Sequence, residues 1–150
     1  FVSSLREDLA RRDFTVNAMA LSRQGDLQDP FDGQRDLANR LLRCVGDPHR
    51  RFREDALRIL RCARFASELG FRVEEKTFRA GQALAGEAAA VSRERINAEW
   101  EKYLSGSCFS ETLTQLSLWL IFIHVNVLIT LLIIGENIRI FVKETQSHHN

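Results

Sequence analysis

Cysteine is scarce in this chain. Its three thiols, Cys44, Cys62 and Cys108, form an odd set without metal-ligand spacing, which argues against a disulfide framework and against a structural zinc module. They read as reduced thiols of an intracellular, cytoplasmic protein. Histidine adds no metal signal: His49 stands alone, and His148 and His149 are merely adjacent. No cleavable leader opens the sequence, and Phe1 is not an initiator, so the chain reads as an internal piece. Net charge is nearly absent at +1, which argues against a diffuse polycationic surface. From Thr112 to Gly135 there is no Asp, Glu, Lys or Arg at all.

What is present is ordinary for a globular chain, 45% hydrophobic and 27% charged residues over 150 positions, enough for one domain or pieces of two. The near-zero charge hides an asymmetry. Of 21 Lys and Arg, 19 lie in residues 1–104, and 17 of those are Arg. Arginine balanced by acids suits sites for phosphates and base edges.

The pattern predicts a mainly helical, α+β chain. Residues 3–10 read as a short helix capped by Ser3 or Ser4. Phe14 to Leu21 reads as a strand, with Gly25 turning the chain into a second strand at Leu27-Gln28-Asp29. Asp29-Pro30-Phe31-Asp32-Gly33 is turn chemistry, with Gly33 supplying a positive φ. A helix with solvated charges follows from Gly33 to Arg40, then a small apolar strand at Leu41 to Val45. Asp47 and Pro48 open another helix as N-cap and first position. One long helix is expected from Arg53 to Leu69, stopped by Gly70. Glu74 to Leu84 reads as helix, and Ser92 caps a last one whose buried side carries Ile96, Trp100, Tyr103 and Leu104.

The Arg53–Leu69 stretch carries the chemistry. Arg58 falls in the same helical sector as Phe65, Cys62 and Leu69, and a guanidinium among apolar neighbours needs a partner. Glu54 and Asp55 precede it by four and three residues, so both carboxylates are in reach. Helix arithmetic alone favours a salt-bridged face. The alternative is that Asp55 and Arg58 face a ligand. A carboxylate only accepts hydrogen bonds and a guanidinium only donates them. Together they match an edge with an amino donor beside a ring-nitrogen acceptor, as in cytosine and adenine. Guanine and uracil present the reverse and are mispaired at both positions.

The run E-D-A-L-R-I-L-R at Glu54 to Arg61 resembles the nucleotide-selecting helix of class II tRNA nucleotidyltransferases, the CCA-adding enzymes, and of the related bacterial poly(A) polymerases. The resemblance continues in R-R-D-F-T-V-N-A-M-A (Arg11 to Ala20), D-P-F-D-G-Q-R-D-L (Asp29 to Leu37), L-R-C-V-G-D-P (Leu42 to Pro48) and S-R-E-R-I-N-A-E-W (Ser92 to Trp100). It covers roughly Leu5 to Leu104. It implies that residues 1–30 end a nucleotidyltransferase head domain, that 31–104 form a helical, nucleotide-selecting neck, and that 105–150 are a divergent tail. It implies nucleotide contacts from Arg12, Asp13, Asp55, Arg58, Arg61 and Arg64, supported by Asn17 and Glu54. Purely local roles compete with these: helix-end charge for Arg11 and Arg12, a backbone tie for Asn17, intrahelical ion pairs such as Arg64 with Glu68. The substrates implied are CTP, ATP and the tRNA 3′ end, with Mg²⁺ as cofactor and no protein partner.

The family's metal-binding D-x-D and its G-G-x-V-R-D turn do not occur in these residues, so the expectation is a nucleotide-selecting portion, inactive by itself. Poly(A) addition is the alternative activity, and a non-catalytic helical RNA- or nucleotide-binding module the alternative class. Past Leu104 the motifs fade. The run Leu116 to Ile134 is long enough to span a bilayer. Three readings stand for it: a membrane helix, a buried core element, or a divergent terminus.

Overall fold

The computed structural model describes residues 2–117 and Trp119. Helix α1 (Val2–Ala10) leads through a 3₁₀ turn (Thr15–Asn17) into a hairpin of β1 (Ala20–Leu21) and β2 (Leu27–Gln28). Then come α2 (Gly33–Ala38), β3 (Leu41–Leu42), α3 (Pro48–Glu54), α4 (Leu57–Leu69), β4 (Arg72–Val73) and α5 (Glu75–Leu84). A 3₁₀ segment (Ala85–Ala90) joins α5 to α6 (Arg93–Leu104), and residues 109–117 are helical again. The fold is mainly helical, as expected. The hairpin is antiparallel, Ala20 opposite Gln28, while β3 and β4 pair in parallel, Leu41 opposite Arg72.

Capping chemistry explains several boundaries. Asp47 accepts from the Arg50 amide at 3.0 Å, with Pro48 at the first helical position of α3, where its missing N–H costs nothing. Gly70 ends α4 with a left-handed φ of 66°, its amide donating to the Ala66 carbonyl. Glu74 caps α5 by accepting from the Thr77 amide and hydroxyl at 3.0 and 2.8 Å.

Other expectations are corrected. Helix α1 starts at Val2, so Ser3 and Ser4 lie inside it and not at its N-cap. Ser92 stands at the N-cap of α6 without a side-chain cap bond. The strand from Phe14 is interrupted by the 3₁₀ turn, because residues 13–15 pair instead with residues 43–45: Thr15 N–H donates to Arg43 O at 2.9 Å and Val45 N–H to Asp13 O at 3.1 Å. The positive φ at the Asp29–Gly33 turn belongs to Asp32 (60°), not Gly33. Gly33 is required by crowding, since a Cβ there would stand 2.3 Å from the Thr15 carbonyl oxygen. Asp29 receives the first amides of α2, from Gly33 at 2.7 Å and Gln34 at 2.9 Å. Helix α2 is not fully solvated: Asp36 is buried, taking Thr15 Oγ1 at 2.6 Å and Arg43 Nε at 2.9 Å.

Two apolar clusters fill the interior. The smaller joins Leu9, Ala18 and Val45, flanked by Leu5, Ala20 and Phe31. The larger runs from Phe14 through Phe52, Ile59 and Leu60 to Tyr103, Leu116 and Trp119. On α6, Ile96 and Tyr103 are buried as expected, Trp100 is half-buried against them, and Leu104 is exposed at 48%. The apolar run 116–134 lies outside the described residues except for Leu116, Ser117 and Trp119. Leu116 and Trp119 are buried, and Trp119 stacks on Phe78 with ring centroids 5.3 Å apart. No helix among the described residues is long and apolar enough to cross a membrane.

Candidate nucleotide-binding site

The expected long helix is two helices. α3 ends at Glu54, Asp55 is extended (φ −154°, ψ 104°), and α4 starts at Leu57. The break has a local cause: Asp55 Oδ1 accepts the Leu57 amide at 3.1 Å, an Asx arrangement that competes with continued helix. Asp55 therefore does not pair with Arg58. Its second oxygen takes Arg95 Nη2 at 3.0 Å, from the first turn of α6.

Arg58 is held from four directions. Its Nε faces Asp13 Oδ1 at 3.0 Å. Nη1 donates to the Arg51 carbonyl and to Glu54 Oε2, both at 3.0 Å, and Nη2 donates to the Arg11 carbonyl at 3.3 Å. Of the five N–H donors on a guanidinium, one on Nη2 is left over among the described residues. The Glu54 pairing is the one that the i, i+4 spacing predicts. Its hydrogen bond from Arg58, ahead of the burial that opposes it, holds the Glu54 carboxyl below its ordinary range.

Arg61 and Arg64 continue the row, but their main partners come from other elements. Arg61 Nε meets Asp13 Oδ2, and its Nη1 lies 3.7 Å from Glu99. Arg64 Nε lies 2.7 Å from Glu99 Oε2, and its Nη1 is 3.4 Å from Glu68. Both guanidiniums sit over the Phe65 ring, Arg64 at 4.2 Å from its centroid. Carboxylates and arginines thus alternate along one ridge, from Glu54 through Arg58, Asp13, Arg61, Glu99 and Arg64 to Glu68. Asp13 and Glu99 are buried, so neither tolerates loss of its cations cheaply.

Arg12 is exposed and makes no ion pair with a described residue. Asn17 turns its side-chain oxygen to the Phe14 amide at 3.2 Å, the backbone tie. Sequence reasoning missed four contributors. Arg51, 14% exposed in its side chain, reaches the carbonyls of Val45 and Ala10. Asp36, Arg95 and Glu99 also meet partners distant in sequence. Only the position of Arg95 and Glu99, four apart on one amphipathic helix, hinted that they share a face. Among the described residues no three His, Cys, Asp or Glu side chains gather to hold a metal ion, so these residues offer no seat for the magnesium the resemblance implies.

An acid-balanced arginine ridge thus lies above a helical core joined to a small hairpin, a chemistry suited to phosphates and base edges. A family model described as the poly A polymerase head domain matches residues 1–43, and one described as the probable RNA and SrmB-binding site of polymerase A matches residues 70–120. The chain is 53% identical over 106 residues to the CCA-adding enzyme of Enterococcus faecalis, covering 71% of this chain and 26% of that protein. It is 51% identical over 107 residues to that of Pediococcus pentosaceus, covering 71% and 27%. The crystal structure of the Bacillus stearothermophilus CCA-adding enzyme in complex with CTP superposes with a TM-score of 0.73 at 46% identity, over 75% of this chain and 28% of that one. The Thermotoga maritima CCA-adding enzyme complexed with tRNA gives 0.67 at 34%, over 77% and 29%. The chain belongs to the nucleotidyltransferase family of CCA-adding enzymes and poly(A) polymerases. It spans about a quarter of the length of the two curated relatives. The second family match runs past Leu104, where the motifs fade, and takes in the helical residues 109–117 and Trp119.

Proposed function

We propose that this chain is the nucleotide-selecting part of a tRNA nucleotidyltransferase that adds C and A to tRNA 3′ ends from CTP and ATP. The observation that carries the reading is the junction of α3 and α4. There an acceptor, Asp55, and a guanidinium with one donor left over, Arg58, stand on neighbouring turns. Asp55 would take the amino group of cytosine or adenine, and Arg58 would donate to the adjacent ring nitrogen. A base with a carbonyl and an N–H at those positions leaves both groups mispaired, and an unmatched polar pair in a binding site discriminates strongly. Arg12, exposed and without an ion pair among the described residues, would meet the sugar–phosphate of the bound nucleotide. Asp13, Arg61 and Arg64 would hold Arg58 and line the same nucleotide, with Glu54 and Asn17 in support. Residues 1–30 would close the head domain and 31–104 form the neck. Three free thiols accord with a cytoplasmic setting. Magnesium would bind residues beyond this chain.

The test is incorporation by the full-length parent of CTP, ATP, UTP and GTP onto tRNA ending at each stage of the terminus. Arg58→Ala and Asp55→Ala are expected to lower the preference for C and A over U and G by at least about tenfold each, with the fold retained. Unchanged discrimination in both variants would overturn the reading. The description of both family matches as poly(A) polymerase regions favours one second reading: a parent that adds A alone. It predicts that CTP is refused by the unaltered parent in the same assay.

A further inference from the structure

Asp55 lies in the break between α3 and α4. Its backbone is extended, and its side chain is 33% exposed. Two donors hold the carboxylate, one on each oxygen. The Leu57 amide is local and follows from the start of α4. Arg95 Nη2 comes from α6, 40 residues away in sequence. Asp55 and Arg95 line the same open cavity of about 640 Å³, together with Arg53, Val91 and Ser92. The cavity leaves the Asp55 carboxylate open to solvent on the side that Arg95 shares.

Resting on the base-selection reading above, we propose that Arg95 is a positioning residue that sets base specificity by aiming the Asp55 carboxylate. With one oxygen tied only to the Leu57 amide, the other is free to swing about the side-chain bonds. A planar guanidinium fixes both the position and the plane of the oxygen it holds. Each carboxylate oxygen can accept about two hydrogen bonds, so Oδ2 keeps capacity for an incoming amino group while Arg95 stays in place. Behind Arg95 stands an ion-paired contact between α6 and α4. One turn further along α6, buried Glu99 forms ion-pair contacts with Arg64 at 2.7 Å and, more loosely, with Arg61 at 3.7 Å, both of α4. α6 is thereby pinned to the helix that carries Arg58, and Arg95 holds Asp55 in register with it. A group left without such support misplaces its partner, and an error of about 1 Å can cost on the order of a hundredfold.

The experiment compares Arg95→Ala, Arg95→Lys and Asp55→Ala in the full-length parent, reading kcat and KM for all four nucleotides, with a thermal melt of each variant. Arg95 is more than half exposed, so Arg95→Ala is expected to melt within a few degrees of the parent. Its C and A preference over U and G is expected to fall roughly tenfold, mainly in kcat, with Arg95→Lys recovering part of the loss. Two results overturn the proposal: unchanged discrimination in Arg95→Ala, or a lower KM for CTP with discrimination kept, which would make Arg95 a competitor for the base. Should Arg95→Ala melt far lower, Arg95→Met, which keeps the stem but has no donor for Asp55, decides: discrimination equal to the parent's would also overturn it. Asp55→Ala separates this failure from failure of the base-selection reading. If Asp55→Ala relaxes discrimination and Arg95→Ala does not, only the role of Arg95 falls.

Discussion

Arg58 has nearly all of its donors committed within the fold. Four contacts to Asp13, Glu54, Arg51 and Arg11 leave it one N–H, so its orientation is decided before any ligand arrives. Glu54 belongs to that arrangement, and its titration reports it. Its folded carboxyl is held below the value of 4.5 expected of the unfolded chain, first by the hydrogen bond from Arg58. A depressed carboxyl stabilises the fold above its unfolded pKa, and the contribution is lost as pH falls through the lower, folded value. Denaturant titrations of this chain at pH 6, 4 and 3 are expected to show that Glu54→Gln flattens the loss of stability below about pH 4.5. An unaltered slope would mean that the Arg58 bond contributes nothing in solution. At this scale the sequence was readable where spacing is local: Glu54 and Arg58, four apart, are found together. The spacing puts Asp55 in reach of Arg58 as well, yet its carboxylate meets Arg95 on another helix, to which no periodicity within α3 and α4 points.

Single elements here are set by side chains that reach across to the backbone. Asp47 with Pro48, Glu74 and Gly70 fix helix ends with chemistry visible in the sequence, and those ends are where the pattern put them. The break at Asp55 escaped for the opposite reason. Glu-Asp-Ala-Leu-Arg has good helical spacing, and the Leu57 amide stops it by donating to Asp55 Oδ1. Helix α2 shows the same limit, since Asp36 looked solvated and proves to be its anchor. Thr15 and Arg43 both donate to this buried carboxylate. Asp36→Ala leaves them facing an empty acceptor and is expected to cost about 3 kcal/mol. Urea unfolding of this chain would check it, and a loss under about 1 kcal/mol would show that the site repacks or hydrates. Gly33→Ala tests the same joint sterically. A Cβ 2.3 Å from the Thr15 oxygen must push α2 off the 3₁₀ turn, at about 1–3 kcal/mol in the same measurement.

Over the described molecule, the parts matched by separate family descriptions share one interior. Phe14, from the first match, is fully buried beside Phe52, Ile59 and Leu60, and its ring meets Phe65 edge-on at 5.6 Å. Cys44 and Cys62 lie in that same interior, one beside β3 and one on α4. Burial pushes the Cys44 thiol up to about 12 and the Cys62 thiol well above its ordinary value. Both stay protonated in the fold, while in the unfolded chain they ionise near 9. The stabilisation from keeping them neutral is complete below that pH and is lost as pH rises from 9 toward the folded values. If this interior opens only as a unit, the two thiols cannot be reached one at a time. Alkylation of this chain at pH 8 is then expected to label Cys108, which is partly exposed, quickly. Cys44 and Cys62 should follow together, at a rate that tracks the global unfolding equilibrium as urea is added. Labelling of Cys44 well ahead of Cys62 would show that residues 43–45 detach from α4 before the rest unfolds. The pairing that sets Asp13 against Arg58 would then be a separable joint instead of part of one cooperative core.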